Sequence, residues 1–164
     1  MAKIQHYVLF PNHDNSMRLY KELKAIGVNC DFAPSFDVNN NPSNPAINTR
    51  SFGEDKEKVS KYGTALMQGM KDAGVAGSAK HFPGHGDTDV DSHGALPVIN
   101  IDEETLFSRE LVPFISLIES GVPAIMTGHI SFPKIVPNGE PASLSKTFVL
   151  YYSYWPAIWY HLLD

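Results

Sequence analysis

Apolar positions recur at helical spacing in three stretches, and each stretch ends at a glycine. Between Asp14 and Ile26 the residues Met17, Leu19, Leu23 and Ile26 predict a helix, with Gly27 as its C-cap. The run Val28-Asn29-Cys30-Asp31-Phe32-Ala33 then predicts a strand. A second helix is predicted from about Asp55 to Ala73 on the stripe Val59, Tyr62, Leu66, Met67 and Met70; Gly74 ends it, and Val75 to Ala79 reads as a strand of small residues. The third helix opens at Asp102-Glu103-Glu104, where acidic side chains suit a helix N-terminus. Leu106, Leu111, Phe114, Ile115 and Ile118 form its stripe, Pro113 is expected to kink it, and Gly121 closes it before a strand over Val122 to Met126.

The glycine junctions fall about 47 positions apart, a period that also suits a helical solenoid. A buried strand follows each helix, however, so alternating helix and strand in a parallel sheet is the better reading. The loops after the strands are much longer than such connections usually are. They carry Pro34-Ser35-Phe36-Asp37, Lys80-His81 and Thr127-Gly128-His129 at successive strand ends. Polar groups at the carboxyl ends of three parallel strands converge on one face, which is where α/β proteins build their sites.

Composition narrows the function classes. The chain has 164 residues, 43% hydrophobic and 19% charged, enough for one domain with a sizeable core. No apolar run approaches the roughly 18 residues of a membrane span, and Met1 to Phe10 lacks a secretory cleavage site. A cytoplasmic protein without a membrane partner is expected. The net charge of −5 argues against nucleic acid, and the single cysteine, Cys30, excludes an internal disulfide and a cysteine-based zinc framework. A small-molecule substrate remains.

The chemistry is densest from Lys80 to His93, where three histidines, three aspartates and a lysine share 14 positions. One reading is a metal site drawing on His81, His85, Asp87 and His93. Pro83-Gly84 removes the helix that would put His81 and His85 on one face. The other reading is acid–base catalysis: Asp91 and His93 lie two apart, so on an extended segment both point the same way. The carboxylate then orients and tunes the imidazole. The residue types modestly favour the second.

The same stretch, KHFPGHGDT followed by DSH and Leu96-Pro97, resembles the signature of glycoside hydrolase family 3, in its β-N-acetylglucosaminidase (β-hexosaminidase) branch. Asp31-Phe32-Ala33-Pro34 with Asp37-Val38-Asn39, and Asn48 to Asp55 (NTRSFGED), resemble further segments of that family, as do Ile125 to Ile130 (IMTGHI) and Pro141 to Ser145 (PASLS). The resemblance runs from about Asp14 to Val149. It implies an α/β fold that is part of a (β/α)8 TIM barrel, with the site at the carboxyl ends of the strands.

By that resemblance, Arg50, Lys80 and His81 hold hydroxyls of a terminal sugar. His93 acts as general acid/base and Asp91 orients it, within the two-step logic of retaining glycosidases. His85 and Asp87 are expected to shape the loop, and Asp37 to satisfy loop backbone donors. For His129 two roles stay open: lining the sugar pocket, or bracing the barrel mouth. The implied substrate is an N-acetylglucosamine-containing glycan or muropeptide, and neither metal nor organic cofactor is implied.

Three departures shape the remaining expectations. Residues 1–13 resemble nothing in the family. Residues 150–164, with six aromatics in 15 positions, change composition abruptly, which an altered reading frame explains more simply than a membrane-interface anchor. The family's nucleophilic aspartate has no counterpart, and Asp164 is no candidate. A barrel domain over 14–149, inactive alone and self-associating through unpaired sheet edges, is therefore expected. The alternatives are a non-catalytic carbohydrate-binding remnant or a family 3 β-glucosidase-type activity.

Overall fold

The computed structural model describes residues 12–121 and 124–154. Helix α1, His13–Ala25, starts where Asn12 accepts a hydrogen bond from Asn15 N, the N-cap interaction that satisfies one orphan donor. Strand β1, Cys30–Asp31, follows, then a 3-10 turn at Asn48–Arg50 and helix α2, Lys56–Asp72, capped by Asp55. The next strand is split into β2, Ala76–Gly77, and β3, Ala79–Phe82. Then come the single helical turn α3, Glu103–Thr105, a π turn over Leu106–Glu110, and helix α4, Leu111–Glu119. Strand β4, Ile125–Thr127, and helix α5, Lys146–Tyr154, complete the described chain.

All named strand pairs are parallel. β1 pairs with β2, with Cys30 opposite Ala76, and β3 pairs with β4, with Ala79 opposite Ile125. A bridge between Ser35 and Lys80 joins the two pairs, so strands consecutive in sequence lie side by side. The fold is α/β, and among the described residues the sheet does not close into a barrel.

The core lies between this sheet and the helices. Phe114 of α4 packs against Phe82 at 5.5 Å and Phe36 at 6.0 Å between ring centroids. Leu66, Met67 and Met70 of α2 and Leu117 of α4 are buried in the same cluster.

The structure corrects the sequence reading in four places. Regular strand covers only Cys30–Asp31 of the expected 28–33 run. The second strand does not end at Ala79 but continues to Phe82, so Lys80 and His81 belong to it. Its break falls at Ser78, whose N–H is shared between Asp31 O and Ala33 O. The third helix is interrupted at the π turn rather than at Pro113, which sits in the first turn of α4 where its missing N–H costs little. Helical structure also continues through residues 150–154, which were expected to have none. The α5 residue Phe148, 5.3 Å from Phe132, anchors that helix in the core. Otherwise the expectations for residues 1–11 and 155–164 lie outside the described residues, as do residues 122–123 of the third expected strand.

Candidate active site

The site is organised around one fully buried carboxylate. Asp37 Oδ2 accepts from His81 Nδ1 at 2.9 Å and from Ser35 Oγ at 2.5 Å. Its Oδ1 accepts from the backbone N–H groups of His81 at 3.1 Å and His85 at 2.7 Å. Burial alone pushes the Asp37 carboxyl up, but the bonds from His81, Ser35 and the His81 backbone outweigh it and hold the group at about 2. Asp37 does satisfy loop backbone donors, as expected; that it also grips the His81 ring was not foreseen.

His81 lies where the β3–β4 register shifts, between Lys80 opposite Met126 and Phe82 opposite Thr127. Such an irregularity re-aims a side chain out of the regular pleat. The Lys80–His81 peptide is cis. With Nδ1 held by Asp37, the His81 side chain keeps 18% of its surface exposed.

Lys80 Nζ donates to Phe32 O at the end of β1. Burial, and then the Arg50 guanidinium, hold the Lys80 ammonium below its ordinary range. Arg50 closes the 3-10 turn, and its Nε donates to Ala46 O at 2.7 Å. Arg50, Lys80 and His81 are thus brought together as a group rich in donors.

The Gly84–Asp87 segment is clamped on this floor. Asn44 Nδ2 donates to His85 O at 2.7 Å and Gly86 O at 3.0 Å, and a Cβ on Gly86 would collide with Val38 O. His85 is only 1% exposed, and burial holds its imidazole below the ordinary range. Asp87 pairs with Arg109 at 2.6 Å. Both residues hold the loop, Asp87 through its pair with Arg109 and His85 through its backbone, while the two buried ring nitrogens of His85 have no hydrogen-bond partner among the described residues. Among the described residues, no group of three or more His, Cys, Asp or Glu is arranged to hold a metal ion.

Further along, Asp91 Oδ1 accepts from both the backbone N–H and the Nδ1 of His93, at 2.9 and 2.7 Å. These bonds, the backbone one foremost, hold the Asp91 carboxyl below its ordinary range. The His93 side chain is 90% exposed, so its Nε2 faces outward. His129 Nδ1 lies 2.6 Å from Ser143 Oγ.

Sequence reasoning missed Asn44, Arg109 and Glu110. A signal for Glu110 was present: it lies four residues from both Leu106 and Phe114, inside the apolar stripe.

Residues 13–151 match the model of the glycosyl hydrolase family 3 N-terminal domain. The chain belongs to glycoside hydrolase family 3. It is 43% identical over 137 residues to beta-hexosaminidase A of Pseudoalteromonas piscicida, covering 80% of this chain and 23% of that protein. The family 3 beta-N-acetylglucosaminidase from Paenibacillus sp. str. FPU-7 superposes with a TM-score of 0.81 at 44% identity, over 90% of this chain and 27% of that one. NagZ from Neisseria gonorrhoeae, solved in complex with N-trifluoroacetyl-D-glucosamine, gives 0.74 at 32% identity, over 81% of this chain and 38% of its own. The family 3 chain therefore spans between 23% and 38% of the length of these relatives.

Proposed function

We propose that residues 14–149 are the site-bearing arc of a (β/α)8 barrel from a retaining β-N-acetylhexosaminidase, acting on terminal N-acetylglucosamine of cell-wall-derived or related glycans. The observation that carries this reading is the Asp37-anchored His81 beside Lys80 and Arg50, at the ends of adjacent parallel strands. Arg50, Lys80 and His81 donate to sugar hydroxyls, and His129 lines the rim. The NagZ complex with a glucosamine derivative supports this choice of ligand.

In the first step His93 gives its proton to the glycosidic oxygen as the bond to the sugar breaks; in the second it takes a proton from the attacking water. The Nδ1–H bond to Asp91 fixes which ring nitrogen does this and stabilises the imidazolium. The covalent partner of the sugar is a carboxylate from elsewhere in the barrel. Four carboxylates of this region are committed: Asp37 to His81, Asp87 to Arg109, Asp91 to His93 and Glu110 to Arg109. By itself, then, the chain binds the sugar without turning it over, which is the carbohydrate-binding alternative in its specific form.

Titration calorimetry with N-acetylglucosamine, beside an assay of 4-nitrophenyl N-acetyl-β-glucosaminide, tests this. Binding that His81→Ala abolishes, with no release of nitrophenol, is the expected result. Absence of binding by the wild-type chain overturns the reading.

A further inference from the structure

The proposed sugar site leaves one buried acid without a task. Glu110 ends the π turn with its side chain fully buried. Its Oε1 accepts from Arg109 Nε at 2.7 Å, while Nη2 of the same guanidinium donates to Asp87 Oδ2 at 2.6 Å. The second carboxylate oxygen, Oε2, has no hydrogen-bond partner among the described residues and is turned onto the loop backbone. A Cβ on Gly84 would lie 2.6 Å from it, and Gly84 has φ +135°, so glycine alone fits against this acid. One rigid guanidinium fork thus joins a core acid on the π turn to an acid in the loop.

The loop is otherwise held at His85 and Gly86, by Asp37 and Asn44. Beyond those bonds the chain runs to Asp91 and His93, and among the described residues the Arg109–Asp87 pair is the last ion pair before them. The π turn carries this acid as its last residue. Its extra residue puts Leu106, Glu110 and Leu111 all inward, so the carboxylate meets the loop from below.

We propose that Glu110 is the positioning residue of the His93 loop, acting through Arg109 on Asp87. This rests on the reading of His93 and Asp91 as the acid–base pair. The attachment is linked to a proton. Burial pushes the Glu110 carboxyl up to about 7; Arg109 opposes the shift, and Asp37 and Asp87 add to it. The other groups near this turn are His85, which burial disfavours in its charged form, and Lys56 of α2, which donates to Ser108 O. Opening the clamp returns Glu110 to water and to its ordinary value of 4.5. The closed clamp therefore holds the proton more tightly, and closure weakens as pH rises from about 4.5 to about 7.

The test is an NMR titration of the full chain carrying His93→Ala, which removes the imidazole bonded to Asp91. The amides of residues 87–92 and the side-chain carboxyl carbon of Glu110 are followed together. They are expected to move with one shared midpoint near 7, and the amide step is expected to vanish in Glu110→Gln. Loop amides that titrate unchanged in Glu110→Gln, or a Glu110 carboxyl that titrates at its ordinary value, overturn the proposal. If Glu110→Gln fails to fold, Asp87→Ala removes only a partly exposed acceptor. There Glu110 is expected still to titrate while the loop amides stop following it; amides that still follow it overturn the proposal. Neither readout uses sugar or turnover. A shared step in a chain that binds no N-acetylglucosamine supports the clamp and counts against the sugar reading alone. Sugar binding without the step does the reverse.

Discussion

The Asp37 carboxylate and the His81 ring meet at 2.9 Å beneath the site, and the same carboxylate takes the backbone N–H groups of His81 and His85. One buried charge therefore orients a proposed sugar-binding ring and starts the loop that carries the proposed acid–base pair. Stability and function are joined at this residue, because what fixes the imidazole also satisfies the turn. Asp37→Ala leaves four donor groups without their acceptor, and truncating one partner of a buried pair costs about 3–5 kcal/mol. Urea unfolding is expected to register that loss. Asp37→Asn is expected to remain folded with weakened sugar binding, because its amide nitrogen faces the His81 N–H or the Ser35 hydroxyl.

The pH dependence of stability follows from two buried carboxyls with opposite signs. Asp37 is lowered from 3.8 to about 2, so its contribution of roughly 2 kcal/mol is present above pH 3.8 and lost as pH falls toward about 2. Glu110 is raised from 4.5 to about 7, so its contribution, on the order of 3 kcal/mol, is present below pH 4.5 and lost as pH rises through about 7. Unfolding midpoints measured across this range are expected to decline on both sides of about pH 4 to 5. Glu110→Gln is expected to flatten the neutral limb and leave the acid limb unchanged.

Gly84→Ala places a methyl group 2.6 Å from Glu110 Oε2 at a backbone φ of +135°. The clash and the conformation add, and a loss of about 1–3 kcal/mol is expected in chemical denaturation. Gly86→Ala is expected to be worse, because the obstacle there is the Val38 backbone carbonyl and not the end of a side chain.

Phe114 is fully buried between Phe36 and Phe82 and ties α4 to the sheet. Phe114→Ala removes a ring from a closely packed core, for which a loss of about 3–5 kcal/mol is usual. Thermal unfolding followed by near-ultraviolet circular dichroism is the direct check, since the same rings report the packing.

His93→Ala is expected to leave the unfolding midpoint unmoved, because the side chain is 90% exposed and bonded only to its neighbour Asp91. If His93 is the acid–base group, the substitution leaves N-acetylglucosamine affinity intact in calorimetry. In a full-length barrel of the family it is expected to lower turnover by about 100-fold or more.

Much of this was legible in the chain. The apolar stripes from Met17 to Ile26 and from Val59 to Met70 set α1 and α2 to within about a residue or two, because helical periodicity is a local property. The Lys80 to His93 stretch announced chemistry through its composition, and the resemblance it carried named the family that the comparisons show. The sequence also offers the Asp91–His93 pairing, though on an extended segment; in the structure the two meet in a turn, where the Gly94 and Ala95 N–H groups donate to Asp91 O.

The Asp37–His81 bond spans 44 positions, and nothing local joins those residues. They meet because the Ser35–Lys80 bridge sets the two strands side by side. Arg109 reaches Asp87 across 22 positions, and Glu110 beside it is buried at the end of the π turn. Periodicity and composition determined the elements and the kind of chemistry. Which carboxylate is buried, which imidazole it holds and which acid is pushed up by burial depend on distance and desolvation between segments far apart in sequence, and those exist only once the chain has packed.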